Sequence, residues 1–293
     1  MPALTVERLD HAVLVLRSDL WATNSAIVHA GDACLVCDPS IFPDEIAEIH
    51  TATRGYERVY LLITHSDFDH VCGIPAFADA TVVTGATTAA AIGDGTARRK
   101  LDESGREWGT SWDGELRVGL VAAGDPVRCG DLDVIAVDAR GHIDDGAALV
   151  APAAGLLFAG DYLSAVCQPI VLGSIDGAIG TIQRLVDAIA DHDIATVVPG
   201  HGPVLDRPQA ERIADEDIAY LRALQAAAAA AVRDGASPNS ALLRVRDVPA
   251  PRAARPDFEA FGWLSANARW ALAEAGHEAF SGPQPPIRPA GPE

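Results

Sequence analysis

This chain of 293 residues lacks long apolar runs and has few basic residues beside its acids. No window reaches about 18 uncharged apolar residues, so no membrane-spanning helix is expected. The first thirty residues carry Glu7, Asp10, Arg17 and Asp19 without a sustained apolar core, which argues against an export signal. Lys and Arg total 22 against 41 acids, giving a formal charge of −19 and a pI near 4.7. Such a chain repels a phosphate backbone, so nucleic acid is not expected as a partner. Also missing are a GxSxG elbow, a P-loop and a GxGxxG turn after a strand. Serine-nucleophile, nucleotide-hydrolysing and dinucleotide chemistries lose their usual signatures with them.

Disulfides are equally unsupported. Five cysteines, Cys34, Cys37, Cys72, Cys129 and Cys167, are odd in number and scattered, as in a protein of a reducing, cytoplasmic compartment. Cys34 and Cys37 have CxxC spacing but lie inside a predicted strand with no second pair to complete a zinc site. They are read as buried and structural, and Cys72, two positions after His70, as a packing residue.

With 49% apolar residues, the chain can bury a substantial core as one large domain or one domain with an appendage. Short apolar or alternating runs predict strands at 12–16, 26–30, 33–37, 59–64, 81–84, 132–137, 147–151, 155–159 and 195–198. Helical spacing predicts helices at 43–53, from 87 to 92 or beyond, and at 178–192. Hairpin strands followed by strands alternating with helices imply a layered α/β sandwich over 1–208. Alanine-rich sequence from 209 to 233 and a further segment at 257–275 predict a helical appendage over 209–280, docked on the sandwich. The Pro- and Gly-rich end, 281–293, is expected to be disordered. The charged segment 98–112, with Trp108 and Trp112, has two readings: a solvated helix and loop, or a lid or wall beside the site.

Residues 64–70 read THSDFDH, directly after the apolar run Val59–Ile63. Imidazoles and carboxylates at the end of a buried strand are ordinary ligands for zinc, iron or manganese. Three other strands end in the same way, at His142 in ARGHIDDG, Asp161 in LLFAGDYL and His201 in VVPGHG. Each lies close to glycine, which lets the backbone turn sharply. One such residue reads as a turn, whereas four strand-end groups in one chain read as a metal site. Asp144 and Asp145, just after His142, are expected to form a turn and helix cap.

In order and spacing these motifs resemble the metallo-β-lactamase-fold superfamily of metallohydrolases, over about residues 10–205, with Asp38 as the family's early aspartate. The resemblance implies a four-layer αββα sandwich with a dinuclear centre at one edge of its two sheets. It further implies that His65, position 67 and His142 hold one ion and that Asp69, His70 and His201 hold the other. Asp161 would bridge the pair, and Asp38 would hold the loop from behind. Two divalent ions, zinc first with iron or manganese as alternatives, are the implied cofactors.

This chain departs from the family at Asp67, where the usual motif has a histidine. A flavin-associated diiron branch also has an acid there. An additional carboxylate ligand lowers the formal charge of the centre by one, making it less electrophilic and favouring harder ions. The expected function is hydrolysis of a small ester, thioester or lactone by a metal-activated hydroxide. Asp69 would orient the hydroxide or pass its proton, and Tyr162 would either donate to substrate or pack beneath the loop. The alternatives are an iron-dependent oxidoreductase of thiols, persulfides or oxygen, and a metal-binding sensor without catalysis. The expected partner is a small molecule, with neither membrane nor nucleic acid, and a homodimer is left open.

Overall fold

The computed structural model describes residues 4–9, 12–108, 111–259 and 262–282. β1 (Thr5–Arg8), β2 (Val13–Arg17), β3 (Asn24–Ala30) and β4 (Ala33–Cys37) form an antiparallel meander. α1 (Pro43–Ala52) leads to β5 (Arg58–Ile63), which lies parallel to β4. Then come α2 (Phe68–Val71), β6 (Thr81–Gly85), α3 (Ala86–Gly93), α4 (Thr96–Trp108) and β7 (Leu120–Ala122). The seven strands stand in one sheet in chain order. A second sheet, in the order β13-β12-β11-β10-β9-β8, comprises β8 (Val127–Cys129), β9 (Leu132–Asp138), β10 (Ala147–Ala151), β11 (Leu156–Gly160), β12 (Thr196–Pro199) and β13 (Leu205–Asp206). α5 (Ile175–Asp191) connects the parallel strands β11 and β12.

Strand periodicity explains the layering. Leu35 and Cys37 of β4 and Leu62 of β5 face inward, meeting Leu149 of β10 and Leu156 and Phe158 of β11 between the sheets. The alternate residues Cys34, Val36, Leu61 and Ile63 face outward, against Ile46 and Ile49 of α1 and Leu101 of α4. On the far side, Ala148, Val150, Leu157 and Ala159 pack against Ile182, Leu185 and Ile189 of α5. With side chains alternating faces and both faces buried, these strands read as unbroken apolar runs. The result is an αββα sandwich.

α6 (Arg207–Arg233), α7 (Pro238–Arg246), α8 (Pro256–Glu259) and α9 (Trp263–Glu274) follow. Leu221 and Leu224 of α6, Val245 of α7 and Leu272 of α9 join the same apolar cluster as α5 and the outer face of the second sheet. The helical segment therefore extends the outer layer. α6 begins at Arg207 because Asp206 and Gln209 form a reciprocal cap, at 2.8 and 2.9 Å. The single helix expected at 257–275 is instead two, and Gly262, in the left-handed region at φ +67°, stands immediately before α9. Of the tail expected to be disordered, 283–293 lies outside the described residues. All five cysteines are free and buried. Cys72 Sγ donates to the Ser40 carbonyl at 3.0 Å, and burial pushes the Cys34 thiol up to about 11, as packing residues require.

At one edge the sheets are tied together. Asn24 N donates to the Gly200 carbonyl at 2.7 Å, and Asn24 Nδ2 donates to the carbonyls of Pro199 and Gly202 at 2.8 and 2.7 Å. Ala147 N donates to the Thr64 carbonyl at 2.8 Å.

Candidate metal centre

The carboxyl ends of β4, β5, β9, β11 and β12 meet at this tied edge, and the loops beyond them carry Asp38, His65, His142, Asp161 and His201. Ligand atoms fall into two trios, each within 4.8 Å: His65, His142 and Asp161, and Asp69, His70 and His201. Asp161 stands between them with one oxygen for each. Its Oδ2 is 3.2 Å from His142 Nε2 and 3.8 Å from His65 Nε2, while Oδ1 is 3.2 Å from both His70 Nε2 and His201 Nε2. Asp69 Oδ2 lies 3.4 and 3.5 Å from the Nε2 atoms of His70 and His201.

All four imidazoles turn Nδ1 outward and Nε2 inward. His142 Nδ1–H donates to the Ile170 carbonyl at 2.8 Å, and His201 Nδ1–H to the Trp21 carbonyl at 3.2 Å. His70 Nδ1 meets Asp38 Oδ2 at 2.9 Å, and His65 Nδ1 meets Thr64 Oγ1 at 3.1 Å. Asp38 also accepts from Thr64 N and Oγ1, at 2.9 and 2.7 Å, from a left-handed backbone (φ +46°) that aspartate tolerates better than most residues. Fixing Nδ1 in this way leaves Nε2 as the lone-pair donor, the tautomer a metal ligand needs. His65 Nε2, His70 Nε2, His142 Nε2 and Asp161 Oδ1 are buried and make no hydrogen bond. Buried polar atoms are normally satisfied, and four left open within the two trios fit divalent cations.

The electrostatics agree. Burial alone would lower His142, but Asp161 and Asp67 outweigh it and lift the imidazole to about 10. His65 goes the other way, to about 4, because burial and the neighbouring His70 outweigh Asp161. Ligation requires a neutral imidazole, so below pH 10 an incoming cation must displace the His142 proton. Affinity should therefore rise with pH, about tenfold per unit for each proton displaced. Zinc titrations at pH 7.5, in two buffers of different ionisation heat, should show release of at least about one proton per chain. Proton uptake would contradict this sign.

Close packing supports the loops. Gly200 lies against Asp161, where an added Cβ would stand 2.4 Å from Oδ1, so its lack of a side chain is what lets β12 turn beside the site. Asp145 is buried rather than capping a helix. Its oxygens accept from Ser66 N and Oγ at 3.0 and 2.6 Å, clamping the loop that carries Asp67, whereas Asp144 is exposed. Among the described residues the helix after this loop, α5, is capped by Ser174.

Tyr162 is buried beneath the His142 loop. Its buried hydroxyl accepts from His142 N at 2.7 Å and so fixes the His142 loop. Tyr162→Phe should leave that amide unsatisfied, costing about 1–3 kcal/mol of stability and about tenfold or more in affinity for an ion at His142. Thermal melts with and without zinc would check both effects. A loss of kcat alone would instead mark a substrate contact.

Of the segment 98–112, the described part packs against the motif loop and the α1 side of the sandwich through Leu101 and Trp112. Leu101 and Trp112 are buried, Trp112 Nε1 donates to the Ile41 carbonyl at 3.0 Å, and its ring lies 5.6 Å from that of Phe68. The side chain of Trp108 falls outside the described residues. From this helix Lys100 reaches the motif loop, with Nζ 2.9 Å from Asp67 Oδ1. Sequence reasoning missed Lys100, although a signal was there: it is the only lysine in the chain. It also missed an aromatic wall on the other side. Trp21 lies 5.8 Å from Phe68 and 6.2 Å from Phe258, and Phe258 meets His201 edge-on at 5.3 Å.

A family model described as "Metallo-beta-lactamase superfamily" matches residues 18–201. A hydroxyacylglutathione hydrolase of Jannaschia sp. (strain CCS1) is 29% identical over 162 residues, 52% of this chain and 56% of that protein. Another, of Rhodobacter capsulatus, is 32% identical over 133 residues, 45% of this chain and 44% of that protein. The chain thus spans about half the length of the curated relatives it matches. Among solved structures, a metallo-beta-lactamase from Pontibacter korlensis superposes with a TM-score of 0.57 at 17% identity, covering 75% of this chain and 99% of that one. The metallo-beta-lactamase FIM-1 from Pseudomonas aeruginosa, in its mono-zinc form, gives a TM-score of 0.55 at 17% identity, covering 73% and 94%.

Proposed function

Because the chain belongs to the metallo-beta-lactamase superfamily, we propose that it is a hydrolase of small esters, thioesters or lactones that works with two divalent ions, zinc foremost. The observation that carries this reading is Asp161, whose two oxygens each face a separate trio of buried ligand atoms. His65, His142 and Asp67 would hold one ion and Asp69, His70 and His201 the other, with Asp161 shared. When bound, such ions supply Lewis-acid polarisation and a nucleophile at neutral pH. The protein's own part is orientation: Asp38, Thr64, Ile170 and Trp21 fix the imidazoles, and an Asp69 carboxylate oxygen can hold the proton of the attacking water.

Trp21, Phe68 and Phe258 pack together beside His201, and an apolar acyl group would suit that side of the site. The curated relatives' name points to acyl thioesters of glutathione as the first compounds to try. An oxidoreductase reading draws on the charge of Asp67, which the Lys100 ammonium at 2.9 Å offsets. No helix of the described residues is long and apolar enough to cross a membrane. Five free buried cysteines support a cytoplasmic setting, and the formal charge of −19 supports a small molecule rather than nucleic acid as partner.

The test is a panel of acyl esters, acyl thioesters and lactones assayed on protein of measured metal content. Chelation should abolish hydrolysis and added zinc should restore it. Turnover that survives complete removal of metal would defeat the reading.

A further inference from the structure

Every strongly basic residue in this chain is an arginine except Lys100, and that single lysine stands at the metal centre. Nζ lies 2.9 Å from Asp67 Oδ1, 3.2 Å from Ser66 Oγ and 3.9 Å from Asp145 Oδ1, on a side chain one-third exposed (33%). The other oxygen of Asp67, Oδ2, faces inward, 3.4 Å from His142 Nε2 and 3.8 Å from His65 Nε2. The carboxylate is therefore divided, with one oxygen on the ammonium and one toward the histidines.

We propose that Asp67 and Lys100 act as one composite ligand: Lys100 holds Oδ1 and cancels the carboxylate charge, leaving Oδ2 to complete the cation site of His65, His142 and Asp161. An anion and a cation in contact sum to zero, the same formal charge as a neutral imidazole. The acid at position 67 thus need not lower the charge of the centre, contrary to the expectation from sequence. The choice of lysine follows from shape. An ammonium is a compact point charge that can grip one oxygen, whereas a guanidinium is a planar fork that pairs with both oxygens of a carboxylate. Arginine here would take Oδ2 from the site. α4 supplies the arm, with Leu101 buried next to Lys100 to anchor the helix, and the Asp145–Ser66 clamp holds Asp67 within reach.

This inference rests on the metal-centre reading above, and its test separates the two. Zinc stoichiometry and stepwise affinities are measured by chelator competition on the full chain as wild type, Asp67→His, Asp67→His/Lys100→Met and Lys100→Arg. Asp67→His installs an imidazole but strands the ammonium beside a dication, so the ion at His65, His142 and Asp161, the first site, should bind at least tenfold more weakly than in the double variant. Lys100→Arg should lose the first-site ion. Retention of the ion held by Asp69, His70 and His201, together with an unchanged circular dichroism spectrum, shows that each variant is folded. Equal affinities in Asp67→His and the double variant, or two tightly held ions in Lys100→Arg, would overturn the pairing while leaving the metal centre standing. A wild-type chain that binds no zinc would overturn both.

Discussion

Asp161→Ala should yield a folded protein that binds fewer ions than wild type and hydrolyses acyl substrates more slowly by on the order of 10³-fold or more. The Asp161 carboxylate faces both trios, with Oδ2 at 3.2 Å from His142 and Oδ1 at 3.2 Å from His70 and His201. Its removal takes one ligand from each site, together with the charge that balances four clustered imidazoles. Asp161→Asn should be milder in binding because one oxygen remains, yet still slow, since a neutral amide cannot replace the anion. Metal analysis beside kcat separates these effects. Wild-type metal content with lost activity would make Asp161 a participant in chemistry rather than a bridge.

The second large effect is on stability. Arg252 sends both terminal nitrogens to Asp217 Oδ1, at 2.6 and 2.5 Å, and Asp217 is buried in α6, lining a cavity that also touches Asp161 and His201. Burial pushes the Asp217 carboxyl up to about 7, more than Arg252 pulls it down. A carboxyl whose folded pKa is raised stabilises fully below its unfolded value, and loses that contribution as pH climbs through the folded value. Without Arg252 the folded value rises further. Arg252→Ala should thus cost about 3–5 kcal/mol at pH 9, where the lone carboxylate must either be charged or take up a proton. At pH 6, where Asp217 is protonated in both proteins, the deficit should shrink. Urea unfolding at the two pH values measures it, and a deficit independent of pH would mean that Arg252 acts through packing alone.

Much of the site was legible in the sequence because its ligands lie at strand ends, where apolar runs stop and costly polar groups begin. The strands buried on both faces, β4, β5, β10 and β11, could be read for the same reason. What escaped was short or distant. β7, β8 and β13 have three, three and two residues, too few to show a period. α8 and α9 read as one helix because their apolar positions continue across Gly262. Lys100 meets Asp67 across 33 positions, Tyr162 meets His142 across 20 and Asp145 meets Ser66 across 79. Such pairings are set by the course of helices and loops in space, which no local pattern encodes.

Each ligand trio draws on both sheets, with His65, or Asp69 and His70, from one side and His142 and Asp161, or His201, from the other. Cations seated there would act as cross-links between the halves of the sandwich, adding to the hydrogen bonds that Asn24 already makes across the gap. The same centre that would cleave substrate would then also clasp the fold, so that losing metal loosens the seam on which the geometry of His201 depends.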